Sequence, residues 1–282
     1  MSSFTSFALF GAGLIGTPIV AGLVAKNLPI VVIARPGSKS VANLPAGAKS
    51  ALVDIANAAA VAAVLKDHKV DVVISTLGMQ AIAAQTPLIE AAKEAGIKLF
   101  VPSEFGFPTE GHTSGLLAEK YEISELLKRV GIPSLRIYTG MFMDFIPMAF
   151  GYEKTKKIIV IGKGEAPVSV TSVADITGFV VHVLTTLPPI ALENKIFRIQ
   201  GDRVSANDLG PLFGTTVEHV NDIPGPHAAD LKALMLIADA GAGSTGWDVV
   251  AGKEGTGDNA AGSANKLWPD HQWKTIKEFY NL

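Results

Sequence analysis

Along the first half of the chain, short apolar runs alternate with longer stretches in which apolar residues recur every three or four positions. Ser6–Gly11, Pro29–Ala34, Ala48–Ile55, Val70–Thr76, Lys98–Ser103 and Pro133–Tyr138 have the length and β-branched content of strands. Leu14–Lys26, Asn57–His68, Ala81–Gly96 and Gly115–Arg129 carry the helical period between them. Several of these strands are apolar along their whole length rather than at alternate positions, which predicts burial on both faces. The expected architecture is therefore α/β: a parallel sheet, doubly wound through right-handed crossovers and covered by helices on each side.

The second half is less regular. Lys157–Gly164 predicts a strand and turn, Ser172–Leu184 a helix, Asn194–Gly201 a strand and His227–Gly241 a helix. Ser205 is placed to N-cap a short helix in SANDLGPLFG. Gly241–Ala264 is rich in Gly, Ser and Ala and reads as a mobile surface loop. The pattern changes near residue 145. This divides the chain into a domain over 1–145 and a smaller C-terminal α/β lobe over 146–282, with an approximate boundary across which the two can interleave.

Composition narrows the function classes. The 282 residues suffice for a sizeable core, and 48% hydrophobic with 18% charged residues describes a soluble globular chain. A net charge of -2 gives no electrostatic reason to expect nucleic acid or an acidic membrane. No cysteine is present, which removes disulfides, thiolate chemistry and sulfur-ligated metal sites. No apolar run approaches the roughly 18 residues that cross a bilayer, and the N-terminus lacks a secretory pattern. The expected setting is cytoplasmic. No metal site is expected, and nothing in the sequence specifies an oligomeric state.

Immediately after the first predicted strand, G-x-G-x-x-G falls at Gly11, Gly13 and Gly16, with Leu14 and Ile15 inside the turn. In a strand-turn-helix setting the three glycines allow a tight turn, close approach of a pyrophosphate, and close packing of helix on strand. A glycine-rich turn without a ligand is the plain alternative. The second strand ends on Arg35, about 20 residues further on, where an acidic residue would bind the ribose 2′-OH of NAD. A guanidinium suits a 2′-phosphate, and Ser38 and Lys39 add a hydroxyl and a second cation. The expected cofactor is NADPH; the alternative leaves Arg35 as a solvated surface residue. Asp54 either accepts from the adenine amine or caps the next helix. Thr76, Leu77 and Gly78, with Gln80 beyond, follow the fourth strand in a stretch of mostly small residues where such a cofactor would pass.

For acid/base chemistry, a Tyr-x-x-x-Lys pair exists at Tyr152 and Lys156, but it lies outside a helix that would set both side chains on one face. Lys120 is the stronger candidate. It fills the gap in the apolar seam Leu116, Ile123, Leu127 and Val130. A lysine there either lines a cavity, where burial would lower its pKa, or snorkels to the edge of the stripe.

VPSEFG at Val101–Gly106, the lysine about fifteen residues later, GIPSLRIYTGMF at Gly131–Phe142 and the early GAGLIG together resemble the isoflavone reductase-like and NmrA-like atypical short-chain dehydrogenases. The resemblance runs over most of the chain and is strongest from 6 to 145. It implies a Rossmann-type NADP-binding domain with a smaller substrate lobe, NADPH as cofactor, Arg35 on the 2′-phosphate and Lys120 as the acid/base residue. It also implies that Thr76–Gly78, Pro102, Ser103, Glu104, Phe105, Gly140, Met141 and Phe142 surround the nicotinamide. The chain departs from the plant enzymes at two points. The turn after Lys120 reads YEISELL, with Ser124 where basic residues are usual, and Gly-x-Gly-x-x-Gly replaces Gly-x-x-Gly-x-x-Gly.

The expected activity is an NADPH-dependent reductase acting on a small, aromatic compound. Phe105, Phe107, Met141, Phe142 and Met143 serve either as its apolar walls or as plain core. His112 and Ser114 belong to a lid or to an ordinary surface loop. The rival expectation is a non-catalytic NADP(H)-binding redox sensor of the NmrA type.

Overall fold

The computed structural model describes residues 4–223 and 228–282. In chain order the first elements are β1 (Phe7–Phe10), α1 (Gly16–Ala25), β2 (Ile30–Ala34), β3 (Lys49–Leu52), α2 (Ala58–Asp67), β4 (Val72–Ser75), α3 (Gln85–Ala95), β5 (Leu99–Val101), α4 (Gly115–Val130) and β6 (Leu135–Tyr138). These follow the expected alternation, each strand shorter by a residue or more than its apolar run. There follow β7 (Met141–Phe142), short helices α5 (Ile146–Ala149) and α6 (Tyr152–Thr155), β8 (Ile158–Ile161), β9 (Val168–Thr171), α7 (Val173–Thr186), β10 (Lys195–Arg198), β11 (Asp202–Val204), α8 (Leu209–Leu212), β12 (Val217–Val220), α9 (Ala228–Ile237), β13 (Trp247–Asp248), β14 (Lys253–Glu254) and α10 (Ile276–Tyr280).

Two compact units interleave along the chain. The first comprises residues up to Glu104, Gly111–Arg136 and Ile176–Ile196; the second comprises Phe105–Glu110, Ile137–Asp175 and Phe197–Leu282. The first unit holds a five-stranded parallel sheet in the order β3–β2–β1–β4–β5. A parallel bridge between Phe100 and Ser134 sets the chain leading into β6 beside β5. β1, β2, β4 and β5 are buried at every position, as continuous apolar runs require, whereas edge strand β3 is largely exposed. Phe10, Ile33, Val73 and Phe100 pack with α2, α3 and α4 residues such as Leu65, Ile89 and Leu127 in one core cluster. Asn57 starts α2 by accepting from the Ala60 N–H at 3.1 Å. Asp54 instead closes the turn before it, its Oδ1 accepting from the Ala56 N–H at 3.0 Å.

The second unit contains a three-stranded sheet in the order β11–β9–β7, a parallel pair of β8 with β12, and a β13–β14 hairpin. Two expectations change here. Ser205 does not N-cap a helix: the helix starts later, at Leu209, because Ser205 and Asp208 bond each other's side chains and close a separate turn first. Gly241–Ala264 is a surface loop only in part: Ala242–Gly246 and Ala264 are buried, while most of residues 248–260 are exposed. Ser244 and Thr245 are fully buried, and the Thr245 N–H donates to Ser169 Oγ at 3.0 Å. Gly241, Gly243, Gly246 and Gly255 serve close packing: a Cβ on Gly246 would lie 2.3 Å from the Ala261 nitrogen, whereas one on Gly252 or Gly257 would meet nothing within 4 Å. The helix expected from His227 is described from Ala228; His227 lies outside the described residues. Among the described residues no helix is long and apolar enough to cross a membrane.

This packing separates two substitutions in the same segment. Gly246→Ala should lower stability by about 2 kcal/mol through overpacking, whereas Val250→Ser, at a side chain 83% exposed, should change it by less than about 0.5 kcal/mol. Thermal unfolding of both variants checks the contrast; equal melting temperatures would mean the segment is loose.

Candidate active site

The strand order reverses between β1 and β4, so the chain leaves these neighbours toward opposite faces and a crevice opens at their carboxyl ends. The turn after β1 begins at Gly11, with φ +92, and a Cβ there would lie 2.7 Å from the Thr76 carbonyl oxygen. At Gly16 it would lie 2.3 Å from the Gly11 carbonyl oxygen and 2.6 Å from Thr76 Oγ1. Thr76 fastens the two loops together. Its hydroxyl lies 2.6 Å from the Gly11 carbonyl and 3.2 Å from that of Phe10, and its N–H donates to the Phe10 carbonyl at 2.9 Å.

Gly13 differs from its neighbours, since a Cβ on it would meet nothing within 4 Å. It marks the open side of the turn. Helix α1 starts there with Ile15 at the N-cap position, no side-chain cap and no acidic residue in its first turn. Its positive dipole end and N-terminal N–H groups therefore remain available to an anion. Leu14 is half-exposed beside this turn and Ile15 is buried. The residues present thus fit a phosphate-bearing ligand: a side chain at 13 would fill its place, and no carboxylate repels it.

Arg35 stands directly after β2, exposed, and makes no ion pair among the described residues. Pro36 and Gly37 turn the chain, and Ser38 accepts from the Ser40 N–H at 3.3 Å to start the single 3-10 turn Lys39–Val41. Arg35, Ser38 and Lys39 are therefore grouped on one short exposed segment.

Beyond β4, the loops after β4 and β5 are joined. Ser103 Oγ donates to the Leu77 carbonyl at 2.7 Å, and its N–H donates to Gln85 Oε1 at 2.9 Å. Pro102 and Ser103 are buried, Thr76 and Leu77 half-buried, and Gly78 and Gln80 exposed. Gln85 held no place in the sequence reading. Its signal was faint: a glutamine at a core-facing position of α3, 1% exposed.

Lys120 is buried rather than snorkelling, 9% exposed, on the same inner face of α4 as Ile123 and Leu127. Its Nζ donates to the backbone carbonyl of Glu104. Burial pushes its pKa below the ordinary lysine range, while the Glu104 charge opposes that fall. Glu104 itself is 1% exposed, and its Oε1 accepts from Arg136 Nε at 2.7 Å. The family resemblance sets Glu104 beside the cofactor; in the structure its Oε1 accepts from Arg136. One turn after Lys120, Ser124 donates back to the Tyr121 carbonyl at 2.8 Å.

Most of the remaining candidates fall in the second unit. Phe105, Phe107 and Met143 are buried there. Phe105 adopts φ +23, a conformation no sequence pattern announced. Met141 and Phe142 form β7 beside Val170 and Thr171 of β9, and Phe142 stacks on Phe145 at 5.9 Å. Gly140 is required before them, since a Cβ would lie 2.0 Å from the Ser169 carbonyl oxygen. Tyr152 and Lys156 form no acid/base pair across a helix face: Lys156 ends the four-residue α6 with φ +58, and its ammonium lies over the Tyr152 ring. In the first unit, Ser114 precedes α4 without capping it.

A model of the NmrA-like family matches residues 6–280. The isoflavone reductase homolog A622 of Nicotiana glauca is 28% identical, the match covering 96% of this chain and 95% of that protein. The phenylcoumaran benzylic ether reductase IRL1 of Ginkgo biloba is 27% identical, covering 95% of each. Leucoanthocyanidin reductase of Vitis vinifera, solved as a binary complex with NADPH, shares the fold with a TM-score of 0.79 at 22% identity over 98% of both chains.

The buried lysine has a thermodynamic signature. Below its folded pKa the native state carries the full cost of a desolvated ammonium, and that cost fades as pH rises toward the ordinary lysine value. Lys120→Met should therefore gain most over the parent near pH 6 and lose that gain toward about pH 10, by about 1.4 kcal/mol for each unit of depression. Melting temperatures of both proteins across this range check the sign; a constant difference would show a lysine that ionises as in water.

Proposed function

The chain belongs to the NmrA-like family, and from that membership and the geometry of its first unit we propose that it is an NADPH-dependent reductase of a small, uncharged, aromatic or conjugated substrate. The observation that carries the reading is Lys120. An ammonium buried on a backbone carbonyl, in the unit that also holds the β1–β4 crevice, is costly to fold and suited to proton transfer. The names of the Nicotiana, Ginkgo and Vitis relatives support the reductase class, and the NADPH held by the Vitis enzyme supports the cofactor.

Gly11, Gly13 and Gly16, with the N–H groups of Leu14 and Ile15, bind the pyrophosphate at the start of α1. Arg35, helped by Ser38 and Lys39, takes the 2′-phosphate. Thr76, Leu77, Gly78, Gln80, Pro102 and Ser103 form the floor over which the rest of the cofactor lies. NADPH, when bound, supplies a hydride. Lys120 Nζ donates a proton to the oxyanion that develops on the substrate and recovers one from water. The first turn beyond Lys120 offers the Ser124 hydroxyl, already bonded to its own helix, and no cation. That suits a substrate recognised by apolar contact rather than by charge.

Fluorescence titration tests the cofactor. NADPH should bind at least about ten-fold more tightly than NADH, and Arg35→Ala should remove the preference, as the loss of one charge-assisted contact implies. Gly13→Ala should melt like the parent yet bind NADPH weakly. In a screen of aromatic ketones and enones, Lys120→Met should retain cofactor binding and lose about 100-fold or more in turnover. Cofactor binding without turnover on any compound would favour the redox-sensor reading and overturn the reductase.

A further inference from the structure

Strand β6 places an arginine in an apolar run. Arg136 stands between Leu135 and Ile137, its side chain 9% exposed, and its Nε donates to Glu104 Oε1 at 2.7 Å. The backbone of Glu104 is in use as well, because its carbonyl accepts from Lys120 Nζ. One residue thus grips the arginine with its side chain and the lysine with its main chain. Its own place is fixed by Ser103, which is tied to Leu77 and Gln85. Buried ion pairs seldom stabilise a fold more than apolar residues of the same volume, so stability alone gives this one little reason to exist.

The charges around Lys120 supply a reason. The Glu104 carboxylate acts on the lysine and favours its ammonium form. On α4 itself, Glu119 and Glu122 are exposed, and Glu125 faces Lys128 at 4.0 Å. Arg136 is the cation bonded to Glu104. Taken alone, that carboxylate would hold Lys120 protonated and oppose the release of its proton.

We propose that Arg136 is a positioning residue for Lys120: it neutralises Glu104 and holds the Glu104 carbonyl under the lysine, so that the lysine is free to give up its proton. This rests on the acid/base reading of Lys120. Arg136 also lines a cleft of about 520 Å³ with Ser124, Lys128, Ser134, Asn194 and Lys195, so small solutes reach it from solvent.

The test reads the lysine directly and needs no substrate. The protein is labelled with ¹³Cε-lysine, the Lys120 resonance is assigned by its loss in Lys120→Met, and its pH titration is followed by NMR. Arg136→Met should raise the Lys120 midpoint by about one pH unit. Glu104→Gln keeps the backbone carbonyl and removes the charge, so it should lower the midpoint. Arg136→Lys should restore the parent value. In Arg136→Ala, millimolar guanidinium entering the cleft should bring the midpoint back, and urea should not. A folded Arg136→Met whose midpoint is unchanged or lowered overturns the proposal. Should that variant fail to fold, an unchanged midpoint in Glu104→Gln overturns it equally. Coupled midpoints together with undiminished turnover in Lys120→Met would overturn the acid/base reading while leaving the electrostatic link standing.

Discussion

Two backbone loops meet at the carboxyl ends of β1 and β4 with no room for a Cβ between them, and the whole candidate site hangs on that approach. Gly11 and Gly16 are the residues that permit it, with prospective Cβ contacts of 2.7 and 2.3 Å to main-chain oxygens. The Thr76 hydroxyl lies where it closes the remaining gap. The approach sets the first turn of α1 at the base of the crevice, its dipole directed outward and its open edge at Gly13. A larger residue at 11 or 16 would displace the helix start and take the candidate anion site with it. At 13 it would leave the framework intact and obstruct only the cradle.

The second constraint is electrostatic. A lysine that is to hold and release a proton must lose part of its hydration, which costs stability, and must still find a hydrogen-bond acceptor. The Glu104 carbonyl provides the acceptor, and the hydrogen bonds from Ser103 to Leu77 and Gln85 hold that carbonyl steady. The same four groups link the loops after β4 and β5 to α4. The loops after β4 and β5 and the buried Lys120 are therefore one mechanical assembly within the first unit, and a change at Gln85 or Ser103 would be felt at Lys120 without touching it.

The second unit uses glycine differently. Gly140, Gly241 and Gly246 each stand where a Cβ would press on backbone or on an aromatic ring: the Ser169 carbonyl, the Trp247 indole and the Ala261 nitrogen. Such glycines stiffen the unit by letting segments touch. Glycine content by itself says nothing about which use is made of it. A chain of Gly, Ser and Ala has the same composition whether it hangs in solvent or packs against a strand.

By itself the sequence determined the parallel sheet, the order of helices and strands through β6, the glycine turn and the inward face of α4 that carries Lys120. These are local: apolar period and turn chemistry over ten or fifteen residues decide them. Tertiary structure alone decided the rest. Arg136 drew no notice in the sequence, and its partner lies 32 residues away and could be identified only once the chain leading into β6 was set beside β5. Gln85 and Ser103 meet across 18 residues, and Thr245 is held against strand β9 of the second unit by a hydrogen bond to Ser169. Hydrogen bonds and charge pairs are short-ranged in space and indifferent to separation in sequence. The periodic code that writes helices and strands therefore carries no record of which buried polar groups will find each other.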